Sequence, residues 1–501
     1  MVSGAKIALC YRCPVLLRSV LVGLCLFVSY AWFYQAGGWN QNSRFDLVRA
    51  IVERGTLKID AYHENTGDKA LFRGHYYSDK APGLALFAVP GAAVARPLCG
   101  PRRAARYVGC LSYLTTLWAA ALPMALAGML LVWAFHTLGA SLNGATVAAI
   151  AFGLGTPAWG YGTLLYGHAL ATSGIVAAWA AAVAIGSKEW AKYDVPLALS
   201  IGLSAGWATI TEFPSAIPAA MLAGLAVRQT WHGDMRRVVR VAACVAGGGA
   251  AAGLVLVAYN TAVYGSPLQT GYAHVEGFDG MKVGVMGVTY PKLEALWGIT
   301  FSPYRGLFFH APVLFAAIAG WPLVLRALPR ARRAAMLAGL AIAVYYLLFN
   351  AAYVYWDGGW SFGPRHVLAG VPFMALPLAW LWDRPSAFVR AGVLAVALVS
   401  VGMTLVVVST TPQPPDEFSH PLKQLWWPAF ASGDLSLNHS SFLDNSAVPR
   451  RLRGRSMPHD AWNLGELMGM RGLPSLAPLV IILMALGAMA LSRQDERAER
   501  P

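Results

Sequence analysis

Apolar runs close to twenty residues long recur from one end of this 501-residue chain to the other. Each is long enough to cross a hydrocarbon core of about 30 Å as a helix. Lipid offers the backbone no hydrogen-bond partners, so these segments must satisfy themselves internally, and helices do so. Composition agrees: 57% of residues are hydrophobic and 13% charged, about half the ~25% charge of a soluble domain. The 51 glycines and 18 tryptophans suit close helix packing and interfacial anchoring. The expected fold is all-α and polytopic, a bundle of about 12 membrane helices. The spans fall at 14–36, 108–136, 145–163, 168–186, 195–210, 214–230, 241–261, 308–326, 334–352, 366–382, 387–409 and 474–492.

Charge sets the orientation. Arg236, Arg237 and Arg240, then Arg326, Arg330, Arg332 and Arg333, then the tail after Arg493 mark cytoplasmic connectors, with Lys188 and Lys192 on the same side. Residues 81–99 are apolar but carry Pro82, Pro90 and Pro97 with Gly83 and Gly91. If they spanned, every later basic connector would fall outside, so they read as a re-entrant or interfacial helix. Arg102, Arg103 and Arg106 then lie on the outer face, to meet a phosphate or lipid headgroups. Four outward connections follow: 37–107, 262–307, 353–365 and 410–473. The chain divides into a transmembrane module (1–410), an outer cap (411–473) and a last span with a tail (474–501). The net charge of +15 is scattered among loop ends and does not describe a nucleic-acid surface. The six cysteines read as unpaired packing thiols, with Cys10 and Cys13 ahead of the first span, and the N-terminal span as a retained anchor.

The polar chemistry gathers in the outer connections. In the first, Phe45, Val48, Ile51 and Val52 recur at helical spacing, as in an amphipathic interfacial helix. The third runs Tyr353-Val354-Tyr355-Trp356-Asp357-Gly358-Gly359-Trp360-Ser361-Phe362-Gly363-Pro364-Arg365-His366. Belt packing accounts for its rings but not for Asp357 and Arg365, charges that need a partner or a task at a membrane. Tyr304 and Arg305 enter a span in the same manner. His168 and Glu212 sit at the outer ends of spans, where both can face one cavity; for His168 a plain helix-packing hydrogen bond is the competing reading. In the last outer loop, the run Arg450-Arg451-Leu452-Arg453-Gly454-Arg455 belongs to an ordered cap or an acceptor platform. No phosphate-cradling Gly-x-x-x-x-Gly-Lys loop, His-Glu-x-x-His or nucleophile elbow occurs. A nucleotide-sugar donor is disfavoured, because no cytoplasmic or Rossmann-like domain is present to hold one.

Arg44-Phe45 and, further on, Tyr77-Ser78-Asp79-Lys80-Ala81-Pro82 carry a family likeness. With one span, a long outer loop and a rise through further spans, residues 14–230 resemble the C-type (GT-C) glycosyltransferases. The closest branch is the bacterial one related to protein O-mannosyltransferases and lipid A aminoarabinose transferases. That family's first loop has an acidic pair, Arg-Tyr, a helix, and later a Tyr-x-Glu-Lys-Pro-Pro-like motif. Gln41 and Asn42 stand where the acidic pair is expected, so another carboxylate must serve as base or the activity has changed.

The resemblance implies an enzyme of the bacterial inner (plasma) membrane with its site facing the periplasm. It would move a sugar from a polyprenyl phosphate to a glycolipid, glycan or protein acceptor by single displacement. A base takes the acceptor proton and cations stabilise the departing phosphate. Asp46 is the first substitute base, with Asp79 and Glu212 beside it. Lys80, at the motif position, with Arg44, Arg305 and Arg365, would meet the phosphate. Asp60, Tyr77, His168, Tyr304, Trp356, Asp357 and Trp360 would meet sugar or acceptor. A divalent cation, magnesium or manganese, stays open, with Asp46, Asp60 or Asp68 as oxygen ligands. The competing readings are a transporter or lipid flippase, and a scaffold of the same fold without activity.

Overall fold

The computed structural model describes residues 4–104, 106–187, 189–231, 234–275, 277–438 and 460–491. Among these, seven helices are long and apolar enough to cross a membrane: Pro14–Ala31, Tyr107–Leu138, Gly167–Ile185, Met235–Tyr264, Arg332–Ala352, Ala387–Thr410 and Leu473–Ala490. The chain is a polytopic helical membrane protein. Exposed side chains on its outer helices, such as Leu254, Leu398 and Ile481, form an apolar surface suited to lipid.

Several of the remaining expected spans are helical but broken, and proline explains where. Residues 145–163 become Leu142–Leu154 and Ala158–Gly162 on either side of Pro157. Residues 308–326 become Leu307–His310, Pro312–Ile318 and Trp321–Ala327. Residues 366–382 open as the 3-10 turn Arg365–Gly370 and continue as Val371–Ala375 and Leu378–Trp382 around Pro377. A proline has no N–H to give and crowds the preceding turn; a hydropathy window registers none of this.

The helix Gly167–Ile185 lies at the centre, most of it buried. Around it, Asp194–Thr211 and Met235–Tyr264 cross closely because glycines meet there. A Cβ on Gly202 would come within 2.0 Å of the Val245 carbonyl oxygen, and one on Gly248 within 2.4 Å of that of Leu199. Lipid tails are as apolar as side chains, so small residues that let backbones touch are what hold such helices together. At the far end from the outer loops, Arg237 pairs with Asp194 at 2.6 Å.

The first long connection, 37–107, is built in three pieces. The helix Trp39–Arg54 starts earlier than its apolar spacing indicates and ends where Gly55 turns left-handed (φ 64°), its N–H bonding to Ile51 O. Its residues Asn40 to Val48 are all buried, so it packs into the bundle rather than lying at the interface with one apolar face outward. A hairpin follows, Lys69–Phe72 paired antiparallel with His75–Ser78, with Lys69 opposite Ser78. Arg73 and Gly74 make its two-residue turn, both at positive φ (51° and 77°), as a type I′ turn requires. Third, Gly83–Ala95 and the 3-10 turn Arg96–Cys99 form an apolar segment shorter than the ~20 residues a span needs. The last loop is clamped to the first: Trp462-Asn463 pairs with Phe33-Tyr34. Lys188, the basic run 450–455 and the tail after Arg493 lie outside the described residues, as do the side chains of Cys10 and Cys13.

One expectation is overturned. Cys99 and Cys110 are joined in a disulfide across the connection that carries Arg102, Arg103 and Arg106, while Cys25 and Cys244 are free. Spacing alone does not reveal the pairing, because the 3-10 turn folds Cys99 back onto the start of the next helix. Thiol-reactive labelling of the denatured chain should reach Cys99 and Cys110 only after reduction. The Cys99→Ser, Cys110→Ser double variant should lose ~3 kcal/mol, the loop-closure contribution of about a dozen residues, read as a lower melting temperature.

Candidate active site

Where the hairpin opens, its register sets a charge cluster. Asp68 precedes Lys69 and Asp79 follows Ser78, so pairing those two residues brings the carboxylates to the same end. The Lys80 ammonium lies between them, 3.0 Å from Asp68 and 2.8 Å from Asp79. Burial pushes the Asp79 carboxyl up and the neighbouring Asp68 adds to this, against the pull of Lys80. Burial works against the Lys80 charge, but the two carboxylates outweigh it and raise its pKa. The helix Trp39–Arg54 locks onto the cluster through Ser43, whose hydroxyl meets Ser78 Oγ at 2.8 Å and donates to Asp79 Oδ1 at 3.2 Å.

The next residue on that helix, Arg44, reaches across to Glu212, Nη2 to Oε1 at 2.7 Å. Glu212 caps the helix Asp194–Thr211 in an extended conformation just before Pro214. His168 Nδ1 stands 3.3 Å from the same carboxylate oxygen. This pair needs a glycine beneath it: a Cβ on Gly167 would come within 2.1 Å of Glu212 Oε1 and 2.9 Å of Arg44 Nη2.

These groups line one cavity of about 770 Å³, within the size range of small-molecule sites. Its opposite wall is the turn 357–360 with Arg365 and His366, and the last loop adds the buried Gln413 and the exposed Asp416. Tyr166, Tyr272, Phe278, Tyr353 and Trp360 supply aromatic surface. Arg365 sits over the Tyr166 ring at 5.6 Å and, among the described residues, has no carboxylate within ion-pair distance.

Of the residues singled out from sequence, Arg44, Asp68, Asp79, Lys80, His168, Glu212, Asp357, Trp360 and Arg365 line this cavity. The others lie elsewhere. Asp46 is fully buried on the far side of the helix, accepting from Asn65 Nδ2 at 3.2 Å. Asp60 is on the surface with His75 at 2.8 Å, and the Tyr76 N–H and His75 hold its carboxyl low despite some burial. Tyr77 packs against Tyr264. Arg305 is buried behind the turn, stacked on Tyr304 at 4.0 Å, and Trp356 fills the space above Gly298. Asp46, Asp60 and Asp68 therefore do not converge, and no group of three or more His, Cys, Asp or Glu suited to a metal ion forms among the described residues.

Residues the sequence did not single out complete the walls. Tyr353 and His366 flank stretches already noted, whereas Tyr272, Phe278, Gln413 and Asp416 come from distant loops with no local signal. The position expected to be acidic has a physical account. Gln41 donates to Gln413 Oε1 at 2.9 Å and accepts from the Leu165 N–H at 3.2 Å. Asn438 also donates to Gln413 Oε1, at 3.2 Å, and Gln413 Nε2 to the Tyr166 hydroxyl at 3.3 Å. An amide uses both of its ends in this buried network; a carboxylate, which only accepts, would leave it unbalanced.

No family model and no curated protein matches the chain. Among solved structures it is similar to ArnT from Cupriavidus metallidurans bound to undecaprenyl phosphate, with a TM-score of 0.47 and 15% identity over 95% of this chain and 76% of that one. The apo form of that protein gives 0.43 at 15% identity, over 96% and 77%. The archaeal oligosaccharyltransferase AglB from Archaeoglobus fulgidus, in complex with an inhibitory peptide and a dolichol-phosphate, gives 0.45 at 12% identity, over 84% of this chain and 57% of that one.

Asp46 supplies a pH test. Burial raises its pKa to about 8, whereas the unfolded chain ionises it near 4. Its stability contribution is complete below about pH 4 and is lost progressively as pH rises to about 8. Asp46→Asn should therefore melt above wild type at pH 8, with the gap closing towards pH 5.

Proposed function

We propose that this protein is a membrane glycosyltransferase that takes a sugar from a polyprenyl phosphate and passes it to a hydroxyl acceptor on the outer side of the membrane. The observation that carries this reading is the cavity itself. It sets Arg365, a cation with no carboxylate partner among the described residues, in a chamber with five carboxylates and an aromatic lining. Lys80 spends two of its three N–H donors on Asp68 and Asp79, leaving one for a phosphate oxygen. Aromatic faces beside carboxylates suit a sugar, apolar on its ring faces and hydroxylated at its edge. The Cys99–Cys110 disulfide supports the orientation: disulfides persist in oxidising compartments, so the connection that bears it belongs outside.

In the reaction, the acceptor oxygen attacks the anomeric carbon as the bond from that carbon to the phosphate oxygen breaks. The polyprenyl phosphate leaves with the electron pair, and its growing charge is met by Arg365 and Lys80. The acceptor proton passes to a carboxylate. Arg44 holds Glu212, and Lys80 holds Asp68 and Asp79, so these acids keep the cations in place as much as they serve as acids. A glycolipid, glycan or protein can present the hydroxyl, and a bacterial inner membrane is the setting the motif resemblance implies.

Purified protein given labelled sugar on polyprenyl phosphate, with membrane extract as acceptor, should transfer label. Arg365→Ala and Lys80→Ala should each reduce transfer by ~100-fold or more, the scale of losing one charge-stabilising donor. Label that crosses proteoliposome membranes without being transferred would instead establish the transporter reading.

A further inference from the structure

Resting on that function, we propose that Asp357 is the base that takes the acceptor proton, and that Arg305 is a positioning residue that holds it in place. Five carboxylates line the cavity: Asp68, Asp79, Glu212, Asp357 and Asp416. The first two share Lys80, and Glu212 is bonded to Arg44. Burial pushes the Asp79 carboxyl up, but protonating a carboxylate that holds a cation breaks the pair and leaves the cation uncompensated, so these three are committed to Lys80 and Arg44. Asp416 accepts from Trp360 Nε1 at 3.0 Å and is exposed at the rim, where water competes for it. Asp357 alone of the five is half-buried and has neither an ion pair nor a side-chain hydrogen bond among the described residues.

The chain around Asp357 has little stiffness of its own. Gly358, Gly359 and Gly363 all adopt positive φ (72°, 61° and 61°), which glycine reaches at no steric cost and with the largest loss of freedom on ordering. What fixes the turn comes from other elements. Arg305 donates from Nε to Asp357 O at 3.1 Å and from Nη2 to Gly359 O at 2.7 Å. Asn350 donates to Trp356 O at 2.8 Å, and the Tyr161 hydroxyl to Phe362 O at 3.0 Å. Arg305 is the strut that grips the turn at two points, and it is 0% exposed and absent from the cavity wall. A guanidinium suits this work because its fork of rigid donors spans two carbonyls that a lysine could not hold together. Arg305 therefore acts on the reaction through the turn and not by touching a phosphate.

In the step itself, the acceptor O–H proton moves to an Asp357 carboxylate oxygen while the acceptor oxygen bonds to the anomeric carbon. The polyprenyl phosphate departs with the electrons of the broken bond, and Asp357 later returns its proton to water.

The test uses the full chain in detergent or nanodiscs with three readouts: sugar transfer, binding of polyprenyl phosphate alone, and amide exchange over residues 357–363. Asp357→Asn should lower kcat by ~100-fold or more while acceptor KM and polyprenyl-phosphate binding stay close to wild type, and Asp357→Glu should recover part of the loss. Arg305→Gln should lower kcat and speed exchange in the turn while leaving polyprenyl-phosphate binding intact. Near-normal kcat in Asp357→Asn, in a preparation whose wild type transfers sugar, would overturn the base. Lost polyprenyl-phosphate binding with unchanged exchange in Arg305→Gln would overturn the strut and make Arg305 a phosphate ligand. If wild type transfers no sugar from any donor, the proposed function falls and Asp357 with it, while the exchange measurement still decides whether Arg305 braces the turn.

Discussion

The ion pair between Arg44 and Glu212 couples the first long connection to the helix bundle, and the site depends on it. Removing two charges from water is costly, and their attraction offsets that cost only when the geometry is good and the remaining hydrogen-bond sites are filled. Here the filling is partial: the Asn40 carbonyl also accepts from Arg44 and His168 stands beside Glu212, while Arg44 Nε has no partner among the described residues. Losing either partner would leave the other charge without its counter-ion in the cavity wall. The pair therefore acts less as a source of stability than as a condition on the fold. The helix Trp39–Arg54 can be buried only where Glu212 waits for it, and that placement brings Ser43 to Asp79.

A second constraint comes from the neutral amides. Gln41, Gln413 and Asn438 meet in one network at the cavity wall, where Asn438 also donates to the Gln35 backbone carbonyl and Thr411 donates to Asn438 at 2.6 Å. The network seals the wall without adding charge. The cavity thus has Arg44 and Lys80 on one wall, Arg365 on the other, carboxylates on both, and a neutral patch at Gln413.

Much of this could be read in the sequence, for physical reasons that differ from element to element. The long apolar helices were legible because hydropathy over twenty residues is a strong signal, and the prolines that break shorter ones were visible too. Glu212, His168, Asp357 and Arg365 were legible because a charged or polar group at a membrane boundary needs a reason to be there, and Arg44 and Lys80 because they sit in the motifs that carry the family likeness. Asp46 misled because, four residues on from Asn42, it shares that residue's helix face, which turns to Asn65 and away from the cavity. Arg305 misled because its role is to bond carbonyls, and the sequence does not say which carbonyls are near. Tyr272, Phe278, Gln413 and Asp416 were invisible, since only the packing of distant loops makes them neighbours. The disulfide was missed because a short 3-10 turn, and not a spacing rule, brings Cys99 to Cys110.

The hairpin carries a consequence for how such a protein could change over time. Side chains alternate faces along a strand, so one extra residue in the Arg73-Gly74 turn would shift the pairing and send one of the two flanking acids to the opposite face. Composition at that turn can drift as long as both positions tolerate positive φ, but its length cannot. A surface turn far from any chemistry is in this way under the same selection as the site it serves, and insertions there should be as rare among descendants of this chain as losses of Lys80 itself.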